Sequence, residues 1–280
     1  MKNKGIITFD LDGTLISTQS EAKQAYIKAF KKTFNLDYID EPIFKGGVDL
    51  QIFKTLCNNY GLEFNYENEK KFIKNYLFFL KKESNPENWF VYDKAHEFLS
   101  LLKKSGFLLV IVSGNYFETG IYKLQKANLI KYFSFLSFNS KENTRNELMQ
   151  KAIEFARSEN LKILGHIGDA YSDVMTSCHF NITPFLFISE KNDELFLNFK
   201  NYIISKLLVD DFNKLEDKIN SFYFLNSSSI SKLYSNNIEK EDSFVNIKQK
   251  LFIFNSYYDI HNIFMDLIES NLLNSEGKNE

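Results

Sequence analysis

This chain of 280 residues has little cysteine, no long apolar run and no excess of charge of one sign. The two cysteines, Cys57 and Cys178, lie far apart and outside any metal-ligand spacing, which argues against a disulfide framework and for a reducing compartment. The longest apolar runs, such as residues 107–112, are far too short to span a bilayer. The net charge is −2 with Lys and Arg dispersed along the chain, which argues against a nucleic-acid-binding surface. We therefore expect a cytoplasmic protein with neither a nucleic-acid nor a membrane partner.

Apolar residues make up 44% of the chain, enough to bury a sizeable core. Short strand-forming runs alternate with helical patterns through the first two thirds of the sequence. The strand candidates are Gly5–Phe9, 107–112, 133–138, 162–167, 183–188 and 206–209. This rhythm, with a central run that is apolar on both faces, is typical of a parallel sheet covered by helices on both sides. The sequence therefore predicts an α/β fold.

Residues 16–90 interrupt this rhythm with three amphipathic helical patterns and no convincing strand. Because the block follows the first strand, we interpret it as an insertion. After about residue 222 the pattern changes again: residues 226–229 are rich in Ser and Asn, as in a linker, and residues 260–272 carry an apolar helical stripe. We expect a sheet core of residues 1–15 and 91–222, a helical insertion of residues 16–90, and a C-terminal extension of unknown role, residues 223–280.

The strongest local signal is the run Asp10-Leu11-Asp12-Gly13-Thr14, directly after a predicted strand. In open parallel sheets, ligands bind beyond the carboxyl ends of the strands, where Asp10 falls. A carboxylate can attack phosphorus and form an aspartyl-phosphate. A second carboxyl two residues on, Asp12, can protonate the leaving oxygen and then activate water. Gly13 permits a sharp turn in which Thr14 can form hydrogen bonds, so Thr14 counts among the phosphate-binding candidates.

The negative charges of neighbouring carboxylates and of a phosphate require a hard cation to neutralise them. Mg²⁺ binds carboxylate, phosphate and water oxygens. Asp169 and Asp173 follow the strand candidate at 162–167, so they leave the sheet at the edge where Asp10 lies. Asp169 is the better candidate for direct ligation, and Asp173 can ligate or orient water. The predicted metal ligands are Asp10, the backbone carbonyl of Asp12, Asp169 and Asp173.

Phosphoryl transfer also needs hydrogen-bond donors around the phosphoryl oxygens, and a fixed cation. The run Ser113-Gly114-Asn115 follows the strand candidate at 107–112 and brings a hydroxyl and an amide to the same edge of the sheet. For the cation we favour Arg145, which begins the helix after the next strand, with Lys141 as the alternative. An arginine suits a purely electrostatic role because it binds phosphate but transfers protons poorly.

In their order along the chain, these motifs resemble those of the haloacid dehalogenase superfamily of hydrolases, in its phosphoglycolate-phosphatase-like branch. The matching segments are Asp10 to Leu15, Ser113-Gly114-Asn115, Lys123-Leu124, Tyr132-Phe133, Arg145 before Glu147-Leu148, and Gly168-Asp169 with Asp173. The resemblance covers roughly residues 4–220 and implies a Rossmann-like core with a mobile helical cap formed by the insertion. It also implies that Gly46-Gly47-Val48-Asp49 lies in the cap. From there Lys45 and Asp49 can contact the leaving group, although for Lys45 a position in a solvated loop is the favoured interpretation.

The resemblance and the residues together predict a Mg²⁺-dependent phosphatase that hydrolyses small-molecule phosphate monoesters through an aspartyl-phosphate on Asp10. Haloacid dehalogenases themselves usually lack the second aspartate, so Asp12 argues against dehalogenation. Two alternatives remain open. One is a phosphomutase for a sugar phosphate, which would use the same two aspartates. The other is a non-catalytic binding or regulatory protein, since residues 223–280 lie beyond the motifs and can form a homodimer or contact a partner.

Overall fold

The computed structural model describes residues 3–44, 46–83, 85, 88–142, 144–188, 219–226, 229–235, 249–254, 257 and 264–266. The strands and α-helices over these residues are, in chain order, β1 (Gly5–Phe9), β2 (Ile16–Ser17), α1 (Glu21–Phe34), α2 (Asp49–Asn59), α3 (Tyr66–Glu83), β3 (Phe90–Val91), α4 (Ala95–Lys104), β4 (Phe107–Tyr116), α5 (Phe117–Lys126), β5 (Phe135–Asn139), α6 (Arg145–Ser158), β6 (Ile163–Gly168), α7 (Tyr171–His179), β7 (Thr183–Phe187), β8 (Ile219–Asn226), β9 (Ser229–Ser235) and β10 (Gln249–Phe254). No helix in these ranges combines the length and the apolar character that crossing a membrane requires.

One sheet contains eight of the strands, in the order β5-β4-β1-β6-β7-β10-β8-β9. Neighbouring strands are parallel except β8 and β9, which pair in antiparallel fashion. Strand β1 lies between β4 and β6, with Phe9 opposite Ile111 on one side and Ile167 on the other. Because these three strands are parallel, their carboxyl ends meet at one edge of the sheet. The predicted α/β fold with a Rossmann-like core is therefore confirmed.

Both faces of the sheet are covered, which explains why its central strands are apolar on both sides. On one face, Ile7 and Phe9 pack in a cluster with Phe98 of α4. On the other face, Ile6 packs in a second cluster with Leu148 of α6. Successive side chains of a strand point to opposite faces, so β1 anchors both layers of the core.

The helices α1, α2 and α3 pack around an aromatic cluster. Its buried rings are Tyr26, Phe30, Phe53, Phe72 and Tyr76. The ring centroids of Phe53 and Phe72 are 4.6 Å apart, and those of Tyr26 and Phe72 are 4.7 Å apart. The three helices expected in the insertion are therefore present, while its role as a mobile cap stays a prediction. The pair formed by β2 and β3 was not predicted, because two-residue strands are too short to show a periodic pattern.

Two element limits differ from the sequence-based expectation. Strand β4 continues beyond Val112 to Tyr116, so the Ser113 motif forms the end of a strand and not the loop after it. The expected boundary between residues 222 and 223 falls inside β8, and Asn226 pairs with Ser229 across the β8–β9 hairpin. A cluster of Ser and Asn is common to linkers and to turns, so composition alone did not distinguish them.

The described residues of the expected C-terminal extension belong to the core. Strands β9 and β10 lie in the main sheet, and the ring of Phe264 lies 4.5 Å from that of Phe185 and 5.4 Å from that of Phe98. Within the helix expected at 260–272, residues 264–266 are described, and they are helical. The strand expected at 206–209 lies outside the described residues.

Candidate active site

Asp10 lies at the carboxyl end of β1, between the ends of two neighbouring strands. Its N–H donates to the carbonyl of Ile167 at 2.8 Å, which continues the β1–β6 ladder to the last residue before the turn. Ser113, near the end of β4, and Asp169, directly after β6, line the same cavity. The side chain of Asp10 is 4% exposed. The structure therefore brings together residues from three strand ends, as the order of the motifs predicts.

The turn after Asp10 packs tightly against Asp169. Gly13 has φ +80°, and a Cβ at this position would collide with the Asp169 carboxylate, so only glycine fits the turn. Thr14 is fully buried, and its hydroxyl donates to Asp169 Oδ1 at 3.3 Å. The structure therefore places Thr14 behind Asp169 and away from the cavity, where its hydroxyl can orient that carboxylate but does not face the expected phosphate position.

Three carboxylates form a group that can hold a cation. Oxygen atoms of Asp10, Asp169 and Asp173 lie within 4.8 Å of one another. Asp10 Oδ1 is buried and makes no well-aligned hydrogen bond with the described residues, although Arg145 Nη1 lies 3.1 Å away. Burial raises the pKa of Asp10 above its usual range, because neighbouring Arg145 only partly offsets the loss of hydration. The donor set is all oxygen and its charge is incompletely neutralised, which fits a hard divalent cation such as Mg²⁺.

Arg145 is the cation of this group. It is the first residue of α6, whose start is fixed by a capping box between Thr144 and Glu147. Its Nη1 lies 3.1 Å from Asp10 Oδ1 and 3.0 Å from Asp173 Oδ1, and its Nη2 donates to Asp10 Oδ2 at 3.2 Å. Lys141, the alternative, is exposed and does not line the cavity. The geometry therefore favours Arg145.

Asp173 is held by several donors at once. Besides Arg145, its Oδ2 accepts the N–H of Ala170 at 3.1 Å, and its Oδ1 lies 3.4 Å from His166 Nε2. Burial alone would raise the pKa of Asp173, but Arg145 and His166 outweigh it, and the pKa lies below its usual range. Asp173 is therefore an ionised, fixed partner for Arg145 and the cation site.

The carboxyl group of Asp12 is not part of this group of three and is held by other partners. Its Oδ2 accepts from Lys123 Nζ at 2.6 Å and from Asn115 Nδ2 at 2.7 Å. Its Oδ1 is buried and has no hydrogen-bond partner among the residues that the structure describes. A metal role for Asp12 through its backbone carbonyl stays a prediction. Lys123 was not predicted as a site residue. Its position on the face of α5 that also carries Thr119 and Leu124 was a signal that it is buried, because a buried lysine requires a partner.

The loop before α2 lies directly over the end of β4. A Cβ on Gly114 would collide with the carbonyl oxygen of Gly47, so Gly114 is required for this close approach. Asp49 Oδ2 accepts the N–H of Tyr116 at 2.9 Å, which fixes the insertion to the core. Burial raises the pKa of Asp49 to about 6, against the opposing effects of Lys123 and of this hydrogen bond. Lys45, the other expected contact, lies outside the described residues.

A cavity of about 640 Å³ lies between the strand ends and the insertion. The core contributes seven polar side chains to its wall: Asp10, Asp12, Ser113, Asn115, Lys123, Arg145 and Asp169. The insertion contributes Phe44, Asp49, Ile52 and Tyr76, among others. A cavity with one polar wall and one partly apolar wall is typical of sites that bind small molecules.

Comparison with protein families agrees with this geometry. Residues 7–186 match the family model described as haloacid dehalogenase-like hydrolase. The chain belongs to the haloacid dehalogenase-like hydrolases. The matched residues include Asp10, Asp12, Ser113, Arg145 and Asp173, and they end within β7.

Two curated relatives carry phosphatase names. A phosphoglycolate phosphatase from Aquifex aeolicus is 29% identical over 180 residues, which cover 60% of this chain and 78% of the relative. A probable phosphatase IndB from Dickeya dadantii is 26% identical over 131 residues, 46% of this chain and 56% of the relative. The match thus spans little more than half the length of the second relative.

Solved structures of low sequence identity share the fold of this haloacid dehalogenase-like hydrolase. A predicted phosphatase from Clostridium acetobutylicum has a TM-score of 0.57 and 19% identity, and the match covers 95% of this chain and all of the other. A hydrolase from Pseudomonas syringae has a TM-score of 0.54 and 18% identity over 76% of this chain and 99% of the other. Both support the fold assignment.

Replacing Asp49 by asparagine should make the stability of this haloacid dehalogenase-like hydrolase less sensitive to pH. The folded chain holds the Asp49 proton more tightly than the unfolded chain, since its pKa rises from 3.8 to about 6. The wild type therefore loses stability as pH rises through this window, and Asp49→Asn does not share this loss. The difference in thermal midpoint, variant minus wild type, should therefore increase by about 2–6 °C between pH 4.5 and pH 7.5. Asp37→Asn, at an exposed position, is the control, and a difference that stays constant with pH would contradict the assignment.

Proposed function

We propose that this hydrolase is a Mg²⁺-dependent phosphatase that cleaves small-molecule phosphate monoesters through an aspartyl-phosphate on Asp10. The observation that carries the proposal is the presence of two differently held carboxylates in one cavity. Asp10 is buried against Arg145 in the cation-binding group. Asp12 instead has one oxygen bound by two donors and the other without a partner. The first arrangement suits a nucleophile and the second an acid–base group.

In the first step, a carboxylate oxygen of Asp10 forms a bond to phosphorus while the bond from phosphorus to the ester oxygen breaks. Asp12 gives its proton to that oxygen, and the leaving group departs as an alcohol. In the second step, water attacks the phosphorus of the aspartyl-phosphate and Asp12 takes up a proton from the water. Inorganic phosphate leaves and the carboxylate of Asp10 is restored, so Asp12 acts first as acid and then as base.

Arg145 and Ser113 are the proposed ligands of the phosphoryl oxygens. A guanidinium has five N–H donors in a planar fork, and Arg145 Nε is buried without a hydrogen-bond partner among the described residues. The hydroxyl of Ser113 lines the cavity and accepts from Asn115 Nδ2 at 2.9 Å, which fixes its orientation. Fixed donors at positions where charge develops stabilise the transition state.

Asp10, Asp169 and Asp173 would hold Mg²⁺, together with the backbone carbonyl of Asp12. Bound there, the ion supplies positive charge that neutralises the phosphoryl oxygens and polarises the phosphorus. The protein's own part is to orient the ligand carboxylates. Thr14 does this for Asp169, and His166 and the N–H of Ala170 do it for Asp173.

Both relatives carry phosphatase names, which supports hydrolysis over transfer of the phosphoryl group to a sugar. The cavity of about 640 Å³ is the size of many small-ligand sites, which supports a metabolite rather than a macromolecule as the ester. No feature of the described site favours the phosphomutase alternative.

The proposal predicts metal-dependent release of phosphate from small esters. Purified protein should release inorganic phosphate from at least one member of a panel that includes phosphoglycolate, sugar phosphates and nucleoside monophosphates. Removal of divalent ions by EDTA should lower the rate at least ~100-fold, and added Mg²⁺ should restore it, because the charge it supplies contributes several kcal/mol to transition-state stabilisation. Folded protein, verified by circular dichroism, that releases no phosphate from any ester would overturn the proposal.

A further inference from the structure

Lys123 is a buried cation that the mechanism above does not use. It lies on α5, beyond the end of β4, and its side chain is 3% exposed although it contributes to the cavity wall. Burying an ammonium group is costly unless it is paired and hydrogen-bonded. The partners of Lys123 must therefore offset the cost of burying its ammonium group, in a site that already contains Arg145.

Lys123, Asn115 and Asp12 form a closed triangle of hydrogen bonds. Lys123 Nζ donates to Asp12 Oδ2 and to Asn115 Oδ1, both at 2.6 Å. Asn115 Nδ2 in turn donates to Asp12 Oδ2 at 2.7 Å and to Ser113 Oγ at 2.9 Å. The ammonium group has no acceptor atom, so the Asn115 oxygen must face it and the amide N–H₂ must face Asp12. Each side chain therefore fixes the orientation of the other two.

This triangle affects the two oxygens of Asp12 differently. Oδ2 accepts two hydrogen bonds, whereas Oδ1 is buried and accepts none from the described part of the chain. A carboxylate held at one oxygen by two convergent donors cannot rotate freely, so the other oxygen is kept in one position. The side chain of Asp12 is 34% exposed and lines the cavity, so the triangle fixes its carboxyl group at the cavity wall.

We propose that Lys123 is a positioning residue that, with Asn115, holds the carboxyl group of Asp12 at the cavity wall, within reach of the leaving oxygen of the ester. The inference rests on the proposed function, since it assigns Lys123 a task in the proton transfer by Asp12. Lys123 acts through Asp12 and does not bind the phosphoryl group. Proton transfer requires that the carboxyl group lies within hydrogen-bond distance of the leaving oxygen. A misplaced carboxyl group therefore loses much of the 10²- to 10⁴-fold rate acceleration that a general acid typically contributes.

The choice of ester separates this role from direct phosphate binding. An alkyl phosphate has a poor leaving group that must be protonated as it departs, and it depends fully on Asp12. 4-Nitrophenyl phosphate has a leaving group that is stable as an anion, so its cleavage hardly depends on an acid. The parameter kcat/KM reports the steps up to transfer of the phosphoryl group to Asp10, the step in which Asp12 donates its proton.

Lys123→Met should lower kcat/KM for the best alkyl phosphate by about 10- to 100-fold, and for 4-nitrophenyl phosphate by less than about threefold. Both esters are measured on one protein sample, so the ratio of the two values does not change if part of the variant is unfolded. Lys126→Met is the matched control on the same helix: its Nζ lies over the Trp89 ring, 5.0 Å from the centroid, and the residue does not line the cavity. It should leave the ratio unchanged.

Equal losses for both esters in Lys123→Met would show direct binding of the phosphoryl group or a structural role, and would overturn the inference. Unchanged values for both esters would overturn it as well. These outcomes require an active wild type and leave the proposed function intact. If the wild type releases phosphate from neither ester, the proposed function itself fails, and the role of Lys123 fails with it.

Discussion

Asp10→Asn should abolish phosphate release, with kcat lower by at least ~10³-fold. Asparagine has nearly the same shape as aspartate, but its neutral amide cannot attack phosphorus, so the covalent route is lost while the packing around β1 is kept. Removal of a covalent nucleophile typically leaves only the contribution of the remaining site. The measurement is phosphate release at saturating concentration of the best ester, with wild type and variant prepared side by side.

The covalent intermediate provides a second measurement for the same variant. A brief reaction with a ³²P-labelled ester, stopped with acid, should leave label on the wild-type protein and none on Asp10→Asn. Asp93→Asn, at an exposed position before α4, is the control and should retain wild-type turnover and labelling. If Asp10→Asn keeps more than about a tenth of the wild-type rate, Asp10 is not the nucleophile and the aspartyl-phosphate mechanism is wrong.

Five strands of the sheet (β1, β4, β5, β6 and β7) were predictable because strands buried on both faces appear in the sequence as short apolar runs. Strands β8, β9 and β10 were not predicted. Gly5–Phe9 is predicted and observed with the same limits. The expectation that Asp10, Ser113 and Asp169 meet needed only the rule that parallel strands share an edge. The start of α6 at Arg145 also has a sequence signal, since Thr144 and Glu147 have the spacing of a capping box.

Directions of side chains were not predictable in the same way. Thr14 and Lys141 have residue types that suit phosphate, but the hydroxyl of Thr14 bonds to Asp169 and the side chain of Lys141 is exposed. Lys123 owes its position to contacts with Asp12, 111 residues away, and with Asn115. Pairings over such separations depend on tertiary packing, so no local pattern could show which lysine is buried in the site.

Arg145→Met should lower kcat/KM by about 10³-fold, since it removes the donors and the fixed charge that face the phosphoryl oxygens. Arg145→Lys should recover only part of this loss, because an ammonium group cannot bridge Asp10 and Asp173 as the guanidinium does. Lys141→Met is the matched control and should stay within about twofold of wild type, because Lys141 is exposed and outside the cavity. A large loss in Lys141→Met with little loss in Arg145→Met would reverse the assignment of the cation.

Arg145→Met should also destabilise the fold, and the size of this effect should depend on pH. Arg145→Met leaves the carboxylates of Asp10 and Asp173 without their cation, and removal of one partner from a buried ion pair costs about 3–5 kcal/mol. The pKa of Asp173 is lowered in the folded chain, so the stability that it gains from Arg145 is present above its unfolded pKa and is lost as pH falls. The difference in thermal midpoint between wild type and Arg145→Met should therefore be larger at pH 7.5 than at pH 4, in metal-free buffer. A difference independent of pH would mean that Arg145 stabilises the fold through packing. In that case its charge does not stabilise the ionised carboxylates of Asp10 and Asp173.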